Sequence, residues 1–228
     1  MNIIEKIDEP HTGFVVEGEN VVKTSINFLK SLGKIGGSIL FFFVLALVFF
    51  ALKKPTYALF CIFYIPTILV RIPDTYSDAV ALESVATLSM LLLLIDGPIL
   101  AAVFAISSLW LTKYISPFGP VEEYSETFGM SISITAAIFI SPLFPHYATK
   151  DLLMFMIYFQ LARFLVYMIL ITFMAPGIFL TEVVYTLVSI PMTLIQSYLI
   201  LTLIGVWILN SYGIHGWHLF AFQSLFIK

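Results

Sequence analysis

Arg163 is the residue whose position points most directly to chemistry, because it stands near the middle of the apolar segment 152–175. A charged side chain at the centre of a bilayer is costly, so such a residue marks either a functional site or a structural ion pair. Gln160 lies about one helical turn earlier, on the same face of the predicted helix. The pair predicts a cationic site for an anionic group, a gating ion pair, or a salt bridge that fixes helix packing.

Three carboxylates are candidate partners for Arg163, namely Glu83, Asp96 and Glu182. If the sixth and seventh apolar segments form an antiparallel hairpin, Glu182 would lie near the end of the sixth span, whereas Arg163 lies near its middle. Glu83 or Asp96 can approach Arg163 if the third apolar segment packs against the sixth. The sequence therefore predicts a substrate-binding set of Arg163, Gln160, Glu83 and Asp96.

The sequence lacks the common motifs for catalysis and metal binding. The chain has no glycine-rich phosphate loop, no HExxH pair and no Gly-x-Ser-x-Gly element. His215 and His218 are three residues apart, but beside Trp217 they are more typical of an interfacial anchor than of metal ligands. We therefore expect no catalytic residue, no metal site and no cofactor, and we predict that the protein is not an enzyme.

The composition excludes most soluble classes of protein. Hydrophobic residues make up 60% of the 228 positions and charged residues 11%, against about 45–50% and about 25% in soluble domains. The net charge of −3 offers no basic surface for nucleic acid. Cys61 is the one cysteine, which excludes an internal disulfide, and its apolar surroundings predict a small core residue. The sequence predicts an all-α, polytopic transmembrane helical bundle in the cell membrane.

Seven apolar segments could supply the spans, each of which needs about 20 residues. They cover residues 37–53, 56–72, 79–95, 98–112, 128–145, 152–175 and 180–209. The turn signal Asp96-Gly97-Pro98 separates two short segments, which form either two complete short spans or a re-entrant pair. We therefore expect six to seven spans. Pro191 should bend the longest segment.

The N-terminal region changes character before the first span. Residues 1–19 are acidic, whereas apolar residues recur at helical spacing over 21–35 beside Lys23, Lys30 and Lys34. This pattern predicts an amphipathic helix in the membrane interface, with a solvated linker as the alternative. The excess of lysine before the first span predicts a cytoplasmic N-terminus. The expected division is a tail with amphipathic helix (1–36), a bundle (37–210) and an interfacial C-terminal segment (211–228).

The segment 76–114 carries a family resemblance. A polar start and an apolar run are followed by Gly97-Pro98 and a helix rich in small residues, including Ala101, Ala102 and Ala105. This pattern resembles the substrate-binding S-components of energy-coupling-factor transporters and the MreD-type cell-shape proteins. The resemblance implies a compact bundle of about six helices.

Two functions follow from these observations. The first is a transport-related membrane protein with a small-solute site in the bundle. The second is a non-catalytic scaffold or accessory subunit of a larger membrane complex, which would pack its 22 phenylalanines on neighbouring subunits. The expected partners are the lipid bilayer and, for the second function, other membrane subunits. A polar cluster inside the bundle favours the first, and an exposed aromatic helix face favours the second.

Overall fold

The computed structural model describes residues 18–74, 84–115, 122–174, 177 and 179–219. The elements in these ranges are helices, joined by turns and by one backbone bridge between Asp151 and His218. The predicted all-α class is therefore confirmed for this part of the chain. The longer helices are α1 (Gly18–Ala51), α2 (Pro55–Asp74), α3 (Val85–Asp96), α4 (Pro98–Ile115), α5 (Glu122–Ile140), α7 (Leu152–Met174) and α8 (Phe179–Ile200).

Four shorter pieces complete the description. A 3-10 turn (Ser141–Leu143) and α6 (Pro145–Ala148) link α5 to α7, and a π-helix (Leu201–Gly205) joins α8 to α9 (Val206–Ser211). Every predicted apolar segment falls on a helix, although residues 79–83 of the third lie outside the described ranges.

Three helical stretches are long and apolar enough to cross a membrane: Leu32–Ala51, Leu152–Met174 and Leu187–Ser211. Four other apolar helices are shorter, namely Pro55–Val70, Val85–Asp96, Pro98–Tyr114 and Thr127–Leu143. A span of about 30 Å needs roughly 20 helical residues. The count of six to seven complete crossings therefore stays a prediction.

α1 is one continuous helix. It runs through residues 36 and 37, between which the sequence predicted the change from an interfacial helix to the first span. Gly36 and Gly37 lie inside it, with open space around their α-carbons. A glycine in a helix costs only about 1 kcal/mol, which is too little to break a long helix without a proline. The lysine-bearing segment and the first apolar segment therefore share one helix, and residues 1–17 lie outside the described ranges.

α3 is the central helix of the bundle. All nine residues from Val85 to Leu93 are buried, and α3 packs against α2, α4, α5, α7 and α9. A helix that is apolar on every side is stable only when it is enclosed in this way. Its 12 residues extend about 18 Å, so protein rather than lipid surrounds most of its length.

The turn at Asp96-Gly97-Pro98 is confirmed. α3 ends at Asp96, Gly97 adopts a φ of +100°, and α4 begins at Pro98. Only glycine takes such a φ without strain, and proline suits the first turn of a helix. The small residues Ala101 and Ala105 on α4 are fully buried, which lets the neighbouring helices approach closely.

Hydroxyl side chains on α5 satisfy their own helix. Ser131 donates to the carbonyl of Thr127 at 2.7 Å, and Thr135 donates to that of Ser131 at 2.7 Å. Ser133 donates to the carbonyl of Met130. These bonds pair the hydroxyls of this polar row with carbonyls of their own helix.

The C-terminal part of the described chain returns to the start of α7. The amide of Leu152 donates to the carbonyl of His218 at 2.9 Å, and the amide of His218 donates to that of Lys150 at 3.0 Å. Trp217 is buried there, and its ring centroid lies 5.6 Å from that of Phe155. Trp217 thus fills a space between aromatic rings at the start of α7, and the interfacial position of residues 211–228 stays a prediction.

The outer surface carries many large apolar side chains. Phe50 on α1 is 72% exposed, and Phe173 on α7 and Trp207 on α9 are similarly uncovered. Soluble monomers rarely expose apolar patches of this extent. An apolar exterior around a helical bundle is compatible with a membrane protein.

Candidate solute site in the helical bundle

Gln160 and Arg163 lie on the buried face of α7. Gln160 is 1% exposed and Arg163 is 3% exposed, as expected for residues one helical turn apart on one face. The guanidinium carbon of Arg163 lies 4.2 Å from the centroid of the Phe164 ring. Contact with an aromatic ring stabilises a cation that has left water. The shared face predicted from the sequence is confirmed.

A chain of hydrogen bonds connects Gln160 to two other helices. Its amide nitrogen Nε2 donates to the hydroxyl oxygen of Ser197 on α8 at 3.1 Å. That oxygen lies 2.6 Å from the hydroxyl oxygen of Thr87 on α3. We call Thr87, Gln160, Arg163 and Ser197 the polar cluster. It brings together α3, α7 and α8 in the interior of the bundle.

The amide oxygen Oε1 of Gln160 is buried and has no hydrogen-bond partner among the described residues. Exchanging the amide oxygen and nitrogen moves the deficit to the nitrogen, because one amide atom faces Ser197 and the other does not. A buried polar atom left in this way costs about 1–3 kcal/mol. Such atoms are rare in native structures and require an explanation, of which a missing ligand is one.

The helix directions place Arg163 at one end of the polar cluster. α7 begins beside His218 and reaches Ser197 at Gln160, so α7 and α8 are antiparallel. α8 meets α3 at Ser197, and the π-helix that continues it meets α3 at Gly205, where an added Cβ would lie 3.6 Å from Leu91. α3 and α8 therefore run in the same direction.

Arg163 consequently lies toward the end of the bundle at which α3 begins. Ser84 precedes α3 at that end and is buried, and its hydroxyl oxygen has no hydrogen-bond partner in the described ranges. A cation and a second unsatisfied polar atom thus occur on the same side of Gln160.

α8 departs from regular helix on both sides of Ser197. Pro191 lies inside α8, where it removes one backbone hydrogen-bond donor, and the π-helix Leu201–Gly205 follows. The helix continues through Pro191, and the bend expected there stays a prediction. π-helical turns occur frequently at functional sites. Ser197 and Thr193, one turn apart, are both buried between these two irregularities.

The predicted acidic members of the site are not part of the described cluster. Asp96 is exposed at the end of α3, about 14 Å along the helix from Thr87. Thr87 is the residue of α3 that lies in the cluster with Gln160, and Asp96 lies at the far end of the same helix. The structure therefore does not bring Asp96 to Gln160. Glu83 lies outside the described residues, and so does the side chain of Glu182.

Sequence reasoning missed Thr87 and Ser197. Gln196, the neighbouring polar residue of the last apolar segment, is only half-buried, whereas Ser197 is fully buried. The available signal was the spacing of Thr193 and Ser197, which places two hydroxyls on one helix face. Single hydroxyls are common in apolar helices, so that signal is weak without the fold.

No metal centre is evident in the part of the chain that the structure describes, since no three His, Cys, Asp or Glu residues there are grouped to hold an ion. Comparisons with known proteins supply no family: no family model, no curated protein and no solved structure matches this chain. The resemblance of residues 76–114 to S-components and MreD-type proteins therefore stays a prediction.

Proposed function

We propose that this protein is a multi-pass, transport-related protein of the cell membrane that binds a small solute at the polar cluster. The observation that carries the proposal is the buried amide oxygen of Gln160, which has no partner among the described residues. A ligand that donates a hydrogen bond to this atom would remove the energetic penalty of burying it. Arg163, one turn away, supplies a charge for recognition.

The irregular course of α8 supports the same proposal. Transporters commonly form their sites from discontinuous helices near the middle of the membrane. Here Pro191 and the π-helix Leu201–Gly205 flank Ser197, which contacts both other helices of the cluster. A solute that enters between α3, α7 and α8 would meet a helix whose backbone bonds are already interrupted.

The proposal is tested by binding in nanodiscs. The full chain is incubated with a defined mixture of small carboxylates, amines and neutral polyols, and native mass spectrometry identifies bound species. We expect wild type to retain a solute that the variants Gln160→Met and Arg163→Gln lose. Gln196→Met is the matched control, because it makes the same substitution at a half-buried glutamine outside the cluster.

Two results would count against a solute site. One is that wild type retains nothing from the mixture. The other is that all four proteins retain the same species equally well, because binding would then not depend on the polar cluster.

A scaffold or accessory subunit is the second candidate function, and it is favoured by the exposure of α1. Most residues of Leu32–Ala51 are exposed, and large residues such as Phe41 and Phe43 project from it. A photo-reactive phenylalanine analogue at Phe43 should then cross-link to another membrane protein in cells. A cross-link to lipid alone would indicate that α1 faces the bilayer, and it would count against a scaffold function.

A further inference from the structure

We infer that Lys30, Lys34 and Tyr114 bind the headgroup of an anionic phospholipid at one end of the seam between α1 and α4. We call these three residues the headgroup site. All three are exposed on the surface of the bundle, whereas the polar cluster is buried, so the inference does not depend on the proposed solute site. It follows from the two lysine charges, from the contact between α1 and α4, and from the apolar surface that continues beside them.

The two lysines lie on one face of α1. Lys30 and Lys34 are both exposed and are four residues apart on a continuous helix, so their α-carbons are about 6 Å apart along the axis. Like charges at this spacing repel each other. An anion held between the two ammonium groups removes that repulsion, and the two unesterified oxygens of a phosphodiester can each accept a hydrogen bond from a lysine. The pair therefore favours an anionic ligand.

Tyr114, in the last turn of α4, contacts the second of these lysines. The Nζ atom of Lys34 lies 4.9 Å from the centroid of the Tyr114 ring, and this contact attracts the cation to the face of the ring. The ring is neutral, so the positive charge of Lys34 still acts on a ligand. Tyr114 is 71% exposed, and its hydroxyl can donate to a lipid oxygen, as suits a tyrosine at headgroup depth.

The position of the lysines along α1 matches the depth of a lipid headgroup. Leu32–Ala51 is long and apolar enough to cross a membrane. Lys34 lies in the first turn of this stretch, and Lys30 lies half a turn before it. Lysines near the end of a span extend their ammonium groups to the interface, where the phosphates of the lipids lie.

An exposed apolar surface continues along α1 from the headgroup site. Phe41 and Val48 follow Lys34 at intervals of seven residues, which places them on the same face of the helix. Phe41 is 60% exposed and Val48 is 47% exposed. A lipid whose phosphate contacts Lys34 therefore finds an apolar surface for an acyl chain directly below it.

α4 lies beside α1 and runs in the opposite direction. Phe42 on α1 stacks on Tyr64, whose ring packs against Phe104 on α4. Lys34 precedes Phe42, whereas its partner Tyr114 follows Phe104, so the two helices are antiparallel. Exposed apolar residues of α4 lead away from Tyr114 in the same direction as the surface of α1: Ile106 and Val103.

Two other occupants fit this surface less well than a lipid does. Inorganic phosphate would match the lysines but would leave the apolar surface below them uncovered. A second copy of the chain, docked symmetrically through the same face of α1, would bring Lys30 and Lys34 of both copies to the same depth, because such an interface uses the same patch twice. Their like charges would then oppose the contact.

The experiment measures lipid binding to the delipidated full chain in a neutral detergent by native mass spectrometry. The probes are a phosphatidylglycerol and a phosphatidylcholine with identical acyl chains, and inorganic phosphate as an anion without chains. Lys30→Gln/Lys34→Gln is the test variant, and Lys30→Arg/Lys34→Arg keeps both charges. Lys53→Gln/Lys54→Gln is the matched control, because it removes two exposed lysines just beyond the other end of α1.

We expect wild type to retain one phosphatidylglycerol in preference to phosphatidylcholine. Each lysine should contribute about fivefold, so Lys30→Gln/Lys34→Gln should weaken binding of phosphatidylglycerol about 25-fold and abolish the preference. The arginine variant should keep the preference, and the Lys53→Gln/Lys54→Gln control should bind as wild type does. Tyr114→Leu should weaken binding about two- to fivefold, because Lys34 loses its contact with the ring.

Four results would overturn the inference. The first is equal retention of the two lipids by wild type. The second is an equal loss of phosphatidylglycerol in the test variant and in the matched control, because binding would then reflect overall charge. The third is displacement of the lipid by an equal concentration of inorganic phosphate. The fourth is a lipid-free dimer of the chain that the test variant strengthens, since the face would then belong to a second copy.

Discussion

The amide nitrogen of Gln160 donates to the hydroxyl oxygen of Ser197 across 3.1 Å, and this bond joins α7 to α8 at one register. Apolar contacts between helices tolerate sliding better than a directional hydrogen bond does. Thr87 extends the bond to α3. The polar cluster therefore determines the relative positions of three helices as well as the chemistry of the interior.

Ser197→Ala should destabilise the protein by about 1–3 kcal/mol, because both Gln160 and Thr87 lose a buried partner. The measurement is thermal unfolding in detergent. Ser211→Ala is the control, since that exposed hydroxyl bonds only to the carbonyl of Trp207 in its own turn. Equal stability of the two variants would show that the bonds between the helices contribute nothing.

Gly97→Val should destabilise the α3–α4 turn by about 1–3 kcal/mol, since a β-branched residue is strained at a φ of +100°. The yield of folded protein and its thermal midpoint should both fall. Gly36→Val is the control, because Gly36 is helical and nothing lies within 4 Å of an added Cβ. A Gly97→Val protein as stable as this control would contradict the structure of the turn.

A cysteine at Lys30 should resist an impermeant thiol reagent added outside intact cells, because the lysines before the first apolar segment favour a cytoplasmic location. Cys61 is replaced by alanine beforehand, although it is buried. Permeabilised cells provide the control, because Lys30 is exposed and should then react. Labelling from outside would reverse the predicted orientation.

Tyr212→Phe should lower stability by about 0.5–1 kcal/mol at neutral pH, because the tyrosine hydroxyl donates to the carbonyl of Pro55 at 2.7 Å. Burial raises the pKa of Tyr212 above its usual value. The neutral form is the donor, so the contribution is complete below the unfolded-state pKa of about 10 and is lost as the pH rises through the higher folded-state pKa.

The measurement for Tyr212 is the difference in unfolding free energy between wild type and Tyr212→Phe as a function of pH. That difference should stay constant from neutral pH to about pH 10 and shrink above it. A difference that grows with alkaline pH would show that the hydroxyl is not a donor in the folded protein.

The parts of the fold that follow from local rules could be predicted from the sequence. The 3.6-residue period of a helix placed Gln160 and Arg163 on one face, and Asp96-Gly97-Pro98 identified the turn between α3 and α4. The hydroxyls of α5 follow a local rule as well, because carbonyls one turn earlier are their nearest acceptors.

The parts that depend on distant contacts could not be predicted. Thr87 and Ser197 meet only because α3 is central and α8 runs beside it. α3 is uniformly apolar over Leu91–Leu93, so its sequence shows no preferred face from which neighbours could be inferred. The continuity of α1 was also not predicted, because the division after residue 36 follows a change in composition, and such a change does not end a helix.

The bond between the amide of Leu152 and the carbonyl of His218 has a consequence for synthesis on the ribosome. The first amide groups of a helix have no partner within the helix itself. In α7, the amide of Leu152 finds its acceptor on His218, a residue that is translated only after α8 and α9. The N-terminus of α7 must therefore lack this hydrogen bond until residue 218 has been synthesised. Until then Phe155 also lacks its contact with Trp217.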